Sequence, residues 1–244
     1  MKKHLLIAFL TVCFFANSGR AQNAPAITAS LQTLGLGVYD EGILIKQGEK
    51  YVPLRVYADV MPDEVVPYSG DLVLPLLHKV QDANAKEATY VTIGEVQFPQ
   101  PTPNQTNEFV ILFTPGAGGK LSATVIRNDK VNFPEDSVRV INTLPAPAGV
   151  MVEKTVNVVK PGESKIFSVA EPSGQTEIHI AISSNENKWV EVCNNVFPLS
   201  HSYRRTIFIM DRTPANAQNR RRPLITMLTL AEPTVKKPKA PVEP

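Results

Sequence analysis

Residues 176–182 of the 244-residue chain read Thr-Glu-Ile-His-Ile-Ala-Ile, and this stretch decides the fold class. Its isoleucines fall at every second position, so an extended strand places all three on one face. The pattern predicts an all-β protein, an antiparallel β-sandwich of the immunoglobulin-like type. Similar short segments, separated by Pro, Gly, Asn or Asp, recur at residues 42–46, 51–57, 71–77, 90–98, 109–114, 121–127, 137–142, 151–159, 164–169, 188–193, 205–210 and 224–230.

Turn residues mark the connections between these strands. Residues 47–50, Gln-Gly-Glu-Lys, separate two apolar segments and predict a β-hairpin with a glycine-containing loop. Pro161 and Gly162 predict a type II turn, because proline presets φ at its second position and glycine accepts a positive φ at its third. The glycine-rich residues 115–120 superficially resemble a phosphate-binding loop. Their glycine spacing is short and Leu121 stands where Ser or Thr is required, so we interpret them as a turn.

Proline content and linker-like segments indicate the domain organisation. The chain has 21 prolines, about 9% against a typical ~5%, which leaves few stretches for long helices. Residues 83–88 have helix-forming composition, with a loop as an equal alternative. Residues 142–149 have the composition of a linker or of a long sheet crossover. We predict two abutting sandwich halves, 22–145 and 146–231, then a disordered Pro/Lys-rich tail at 232–244. One continuous large sandwich is the alternative.

The N-terminal segment has the order of a secretory signal peptide. Two lysines precede an apolar run at residues 5–15, and a short polar segment follows. About eleven apolar residues are too few to span a membrane. We therefore expect cleavage between Ala21 and Gln22, which removes residues 1–21. The sequence contains no second apolar run of spanning length, so we expect an extracytoplasmic protein, periplasmic or secreted, that is not transmembrane.

Processing changes the net charge and leaves one cysteine. The chain has 25 basic and 23 acidic residues, and the loss of Lys2, Lys3 and Arg20 leaves 22 basic ones, so the net charge changes from +2 to −1. This balance argues against a globally basic nucleic-acid-binding protein. Cys193 alone remains, so no internal disulfide forms and apolar burial must stabilise the fold.

The chemistry-bearing side chains form no recognisable catalytic or metal-binding pattern. His78 and His201 are isolated, and His179 shares a strand face with Glu177, which we interpret as a solvated sheet face. We expect a non-enzymatic protein without a cofactor or metal. A hydrolase of unknown type is the weakest alternative.

Residues 188–193 contain the only tryptophan and the remaining cysteine. Alternation places Trp189, Glu191 and Cys193 on one face of this strand. Cys193 lacks an identifiable base, so we interpret it as a part-buried structural thiol. For Trp189 we favour a core position, with a sugar-stacking platform as the alternative.

Positive charge is concentrated near the C-terminus. Such a cluster favours docking of an acidic partner, a lipid surface or an anionic surface polymer, and the alternative is a solubilising tail. The predicted partner-binding residues are Arg212, Arg220, Arg221, Arg222, Lys236, Lys237 and Lys239, with Arg204 and Arg205 as neighbours.

Four motifs resemble the shared pattern of a group of uncharacterised exported bacterial β-proteins. They are Phe133-Pro134-Glu135-Asp136-Ser137-Val138-Arg139-Val140-Ile141-Asn142, Val159-Lys160-Pro161-Gly162-Glu163-Ser164, Lys188-Trp189 and Arg204-Arg205-Thr206-Ile207-Phe208. The likeness covers residues 108–212 and departs at Asp136, where the pattern prefers glycine. The resemblance implies export and β-architecture, and it transfers no catalytic residue.

These observations favour a non-enzymatic extracytoplasmic module that works by surface binding, within a cell-envelope or pilus-type assembly. Exposed sheet edges would allow strand addition to an envelope protein, with the basic C-terminal region as a tether. The alternative from another class is a polysaccharide-binding protein that uses exposed aromatic residues, with Tyr51, Tyr57, Tyr68 and Trp189 as candidates.

Overall fold

Strands account for the regular secondary structure of the described residues. In the computed structural model, the described residues are 27–81, 88–102, 105–116, 120–169, 174–183, 188–212 and 225–233. Sixteen strands and no helix lie within these ranges, which confirms the all-β fold class. The predicted signal peptide, its cleavage site and nearly all of the candidate helix at 83–88 lie outside the described residues.

The first eight strands form a β-sandwich of two four-stranded sheets. They are β1 (Ile27–Gly35), β2 (Ile43–Gln47), β3 (Lys50–Pro53), β4 (Val66–Gly70), β5 (Val73–Val80), β6 (Thr89–Gln97), β7 (Asn107–Pro115) and β8 (Leu121–Arg127). Inner sheet 1 has the order β4-β1-β7-β8, and outer sheet 1 has the order β3-β2-β5-β6. The predicted hairpin is confirmed, since β2 and β3 pair antiparallel around Gly48 and Glu49.

The last eight strands repeat this topology. They are β9 (Ser137–Asn142), β10 (Ala148–Val152), β11 (Thr155–Val159), β12 (Ser164–Ser168), β13 (Gly174–Ser183), β14 (Trp189–Leu199), β15 (Tyr203–Asp211) and β16 (Ile225–Pro233). Inner sheet 2 has the order β12-β9-β15-β16, and outer sheet 2 has the order β11-β10-β13-β14. Adding eight to each strand number of the first sandwich gives the second, so both halves share one topology.

The repetition extends to local irregularities. The central pairs of the inner sheets, β1/β7 and β9/β15, are parallel, and every other pairing between strands is antiparallel. A β-bulge interrupts β5/β6 after Leu76 and β13/β14 after Ile180. The turns after β2 and β10 each contain a positive φ, 58° at Gly48 and 54° at Glu153. Local alternation does not specify which distant strands pair, so the sequence could not predict the parallel pairs.

Three clusters of buried apolar side chains stabilise the layers. One lies inside each sandwich. The third lies between the inner sheets and brings Leu34, Leu36, Val110 and Leu112 against Ile141, Phe208 and Met210. The inner sheets therefore pack face to face, and the two halves form a four-layer stack with the outer sheets on the outside.

The division between the halves lies before β9. We predicted it at residues 145/146, but β9 pairs with β12 and β15 and packs in the second core. The Pro-rich residues 143–147 instead cross from inner sheet 2 to outer sheet 2. Asn142 anchors this crossover, because its Nδ2 donates to the carbonyl oxygens of Ala146 and Val159 at 2.8 and 3.0 Å.

Some element bounds differ from the sequence prediction. Residues 151–159 form parts of two strands, β10 and β11, instead of one. The tail was predicted to begin at Glu232, but Glu232 and Pro233 belong to β16, and the rest of the tail lies outside the described residues. The type II turn is supported by a φ of 73° at Gly162 and a hydrogen bond of 3.0 Å from the Glu163 N–H to the Lys160 oxygen.

Candidate functional site

A cavity of about 470 Å³, here called the inter-sheet cleft, lies between the two inner sheets. Its volume falls within the range of about 300–1,000 Å³ that is typical of ligand sites. Its lining combines the apolar residues Leu112, Val125, Ile126, Ile141 and Ile166, the polar residues Thr114, Thr124, Asn132, Asn142, Thr143 and Ser164, and the cations Arg127 and Arg139. The cleft can therefore accept a ligand with both apolar and polar groups.

Two edge strands border the inter-sheet cleft. β8 is the last strand of inner sheet 1, and β12 is the first strand of inner sheet 2. Among the described strands, β8 pairs only with β7 and β12 pairs only with β9. Ile166 of β12 is 41% exposed although it is a large apolar side chain. The outer edges of both strands thus have backbone groups without a ladder partner in the part of the chain that is described.

A buried polar cluster supports the cleft. Arg139 donates from Nη2 to Asn128 Oδ1 at 2.7 Å, and Asn128 Nδ2 donates to Glu232 Oε2 at 2.9 Å. Arg204 Nη2 donates to the same oxygen of Glu232 at 3.1 Å. The ring of Phe133 contacts both guanidinium groups. Its centroid lies 4.0 Å from Cζ of Arg139 and 5.0 Å from Cζ of Arg204. We call these five residues the arginine cluster.

The arginine cluster is a buried polar element of the fold. Burial lowers the pKa of the Arg139 guanidinium to about 10, a shift that Glu232 opposes and Arg204 reinforces. Arg139 therefore stays charged at neutral pH. Within the described residues, the cluster places two buried guanidinium groups against one carboxylate.

Two of the motifs behind the resemblance meet in the arginine cluster. Phe133 and Arg139 come from the first motif, and Arg204 comes from the last. Asp136, the position where the pattern prefers glycine, has a φ of 53°, the region that glycine adopts most easily. Its Oδ1 accepts the N–H of Ser202 at 2.9 Å. These motif residues therefore specify packing and turns.

The exposed face of outer sheet 2 forms a second candidate surface. Trp189 was favoured as a core residue, and this prediction was wrong, because Trp189 is 51% exposed. A Cβ built at Gly149 would lie 3.2 Å from Cζ3 of its indole ring. The ring therefore lies against the sheet where glycine leaves room for it. Val156 and Val158 are also exposed on this sheet.

A β-bulge explains the failure of the alternation argument here. Ile180 pairs with Cys193 and Ala181 pairs with Glu191, so Val192 is the extra residue. The bulge places Cys193 in the core while Trp189 and Glu191 face outward. Burial raises the pKa of the Cys193 thiol, with a further contribution from Glu191. Cys193 was predicted to be part-buried, and the structure places it fully in the second core.

His179 lies between two carboxylates on this same face. Its Nε2 is 2.7 Å from Glu177 Oε1, and its Nδ1 is 3.6 Å from Glu191 Oε2. The hydrogen bond to Glu177 raises the pKa of His179 most strongly. Burial opposes this rise as the next largest effect, and the contact with Glu191 adds a smaller rise. Within the described ranges, no group of three or more His, Cys, Asp or Glu side chains is placed to hold a metal ion.

We expect His179 to titrate above its ordinary pKa of 6.5. The folded protein binds this proton more tightly than the unfolded chain, so the stabilisation is fully present below about pH 6.5. It is lost as the pH rises through the higher folded pKa. In an NMR titration, the midpoint of the His179 ring should lie above 6.5 and fall in Glu177→Gln. A wild-type midpoint at or below 6.5 would contradict this contact.

The predicted basic surface is divided in the structure. Arg204 and Arg205 are buried, with Arg204 in the arginine cluster and Arg205 donating to the carbonyl oxygen of Pro198, so neither belongs to an exposed patch. Arg212 pairs with Asp59 across the two halves. The other predicted residues, Arg220, Arg221, Arg222, Lys236, Lys237 and Lys239, lie outside the described residues.

The candidate tyrosines differ in their accessibility. Tyr68 is buried, and its hydroxyl donates to the carbonyl oxygen of Asp71 at 2.8 Å. Tyr51 is 37% exposed and stacks on Tyr90 with ring centroids 3.6 Å apart. Tyr57 is partly buried and contacts Tyr39. Of the four aromatic residues proposed from sequence, Trp189 therefore offers the most accessible ring.

Nothing in the described chain forms a helix of the length and apolar character that crossing a membrane requires. The cleft was not identified from sequence, because its lining comes from four strands of two different sheets and from the loops that carry Asn132, Thr143 and Gly162. No protein-family model matches the chain, and a search of curated proteins finds no relative. The function must therefore be argued from the inter-sheet cleft and from the exposed face of outer sheet 2 around Trp189.

Proposed function

We propose that the protein is an exported, non-enzymatic binding module of an envelope or pilus-type assembly, and that it holds an extended segment of a partner protein in the inter-sheet cleft. The observation that carries this proposal is a cleft of about 470 Å³ bordered by the edge strands β8 and β12. An edge strand accepts a further strand through its free backbone groups. The order of residues 1–21 and the resemblance to exported proteins support the location.

The lining of the cleft suits an extended peptide. Ser164 and Ile166 are two positions apart on β12, so both point into the cleft, where they face Thr124 and Ile126 of β8. A bound strand would bury alternate side chains against the apolar floor. At the mouth of the cleft, where the segment would lie beside the outer edge of β12, its main chain would form the ladder bonds that β12 lacks within the described sheets. Main-chain pairing supplies affinity, and side-chain pockets supply specificity.

Packing between the two inner sheets supports the walls of the cleft. The third apolar cluster joins the inner sheets on one side, and the arginine cluster supports the floor at Arg139. A preformed site loses less conformational entropy on binding than one that must close. The sequence also predicts a basic tether at Arg220, Arg221 and Arg222, residues that lie outside the described ranges, and such a tether would add to binding.

The proposal is tested by immobilising residues 22–244 and passing a detergent-solubilised envelope fraction of the source organism over the column. We expect a retained protein that is lost with Ile166→Arg, because the long cation projects from β12 into the cleft. Val80→Arg is the matched control, since Val80 is 48% exposed and belongs to outer sheet 1. Retention of the same protein by Ile166→Arg, or no retention by the wild type, would refute the proposal.

A further inference from the structure

We infer that the exposed face of outer sheet 2 is a second binding site, and that its ligand is a neutral saccharide that stacks on Trp189. This inference is independent of the inter-sheet cleft, because β13 and β14 belong to the outer layer of the stack.

The support beneath Trp189 is built from small residues. Trp189 starts on β14, and its ring reaches Gly149 on β10, so it must cross β13. At this level Gly149 pairs with Ala181. A larger side chain at either position would lift the ring from the sheet. One face of the indole is therefore fixed against the sheet, and the other is open to solvent, which agrees with 51% exposure.

Hydrogen-bonding groups lie on the β13 and β14 side of the open ring. Glu191 pairs with Ala181 beside the indole, and its side chain is 58% exposed. His179 and Glu177 lie on β13, two and four positions before Ala181, and the Glu177 side chain is 54% exposed. Carboxylates accept hydrogen bonds from hydroxyl groups, and an imidazole donates or accepts according to its protonation. The face thus combines one flat aromatic ring with acceptors on its β13 and β14 side, while the exposed Val156 and Val158 lie on β11 on its other side.

This combination fits a saccharide better than the other candidate ligands. A pyranose ring offers an apolar C–H face for the indole and hydroxyl groups around its edge for the carboxylates. An apolar protein surface would strip water from Glu177 and Glu191 without replacing their hydrogen bonds, which is unfavourable. The two carboxylates would repel an anionic polymer. Lys188, the residue before Trp189, sets one positive charge against these two negative ones.

The first sandwich carries an aromatic residue at the equivalent place. Its bulge leaves Ile93 as the extra residue on β6, and Tyr90 lies three positions before it. Trp189 lies three positions before Val192, the extra residue on β14. Tyr90, however, stacks on Tyr51 with an interplanar angle of 7°, so another ring covers one of its faces. We therefore assign the saccharide site to Trp189 alone.

Trp189 is the only tryptophan, so its own fluorescence reports binding. We would titrate residues 22–244 with hydroxyethyl cellulose, laminarin and dextran as neutral probes and with alginate as an anionic probe. We expect a blue shift and protection from iodide quenching with at least one neutral polysaccharide, and none with alginate. In affinity electrophoresis, the same polysaccharide should retard the wild type, and Trp189→Ala should bind at least tenfold more weakly.

Two further variants complete the test. Gly149→Val keeps the tryptophan but displaces its ring, so it should weaken retardation at least tenfold, while Val80→Arg on outer sheet 1 should bind like the wild type. Circular dichroism establishes that each variant is folded. Binding to none of the neutral probes, binding that survives Trp189→Ala, or binding to alginate alone would overturn the inference. The proposed cleft function would stand in each of these cases, because its test uses a different ligand and a different surface.

Discussion

Replacing Glu232 with leucine is expected to lower the free energy of unfolding by about 3–5 kcal/mol. The carboxylate accepts hydrogen bonds from Arg204 and Asn128, and the side chains of Arg204 and Glu232 are only 9% and 11% exposed. Without Glu232, two guanidinium groups of the arginine cluster remain buried with no carboxylate among their described contacts. Urea unfolding followed by Trp189 fluorescence measures the loss.

The control for this variant is an exposed ion pair of the same type. Arg55 and Glu64 are 3.4 Å apart with side chains 48% and 47% exposed. Glu64→Leu should therefore cost no more than about 1 kcal/mol. The double variant Arg204→Met/Glu232→Leu should recover part of the loss, since it removes the uncompensated charge. An effect of Glu232→Leu no larger than that of Glu64→Leu would show that the arginine cluster does not stabilise the fold.

Replacing Phe133 with alanine is expected to cost about 3–5 kcal/mol, the range for a large aromatic side chain in a core. Phe133 is fully buried, and its ring contacts the guanidinium groups of Arg139 and Arg204. The variant would leave a cavity beside two like charges and would remove both cation–π contacts. The midpoint of urea unfolding should fall with little change in its slope.

Two variants make the Phe133 result specific. Phe133→Leu keeps most of the buried volume but loses the aromatic face, so it should cost less than Phe133→Ala. Val131→Ala, two residues away and 67% exposed, should remain within about 0.5 kcal/mol of the wild type. Equal stabilities of Phe133→Ala and Val131→Ala would contradict the burial of this ring.

The sequence was most informative where a strand has one buried face. Along β13, Ile178 and Ile180 face the core as the alternation of residues 176–182 predicts. β1 shows the same pattern at Ile27, Ala29 and Leu31, so alternation could also have identified it. β4 contains Pro67, a residue that argues against a central strand but is tolerated in β4 because it lies at a sheet edge.

The prediction failed where side-chain direction depends on a distant partner. The alternation rule assigned Trp189 and Cys193 to one face of the strand. The bulge at Val192 adds one residue between them, so their side chains lie on opposite faces. The spacing of arginines indicated an exposed patch, but Arg204 meets a carboxylate 28 positions later in the chain. Neither the bulge nor this pairing has a local sequence signal. The inter-sheet cleft was missed for the same reason, since it exists only once the two inner sheets pack.

The occupancy of the inter-sheet cleft can be measured directly by photocrosslinking in the source organism. A benzoylphenylalanine introduced at Thr124 on β8 or at Ile166 on β12 would face the cleft from opposite walls. We predict that irradiation gives an adduct of the same partner from both positions and none from a probe at Val80 on outer sheet 1. Absence of an adduct from both cleft positions, or the same adduct from Val80, would contradict the account.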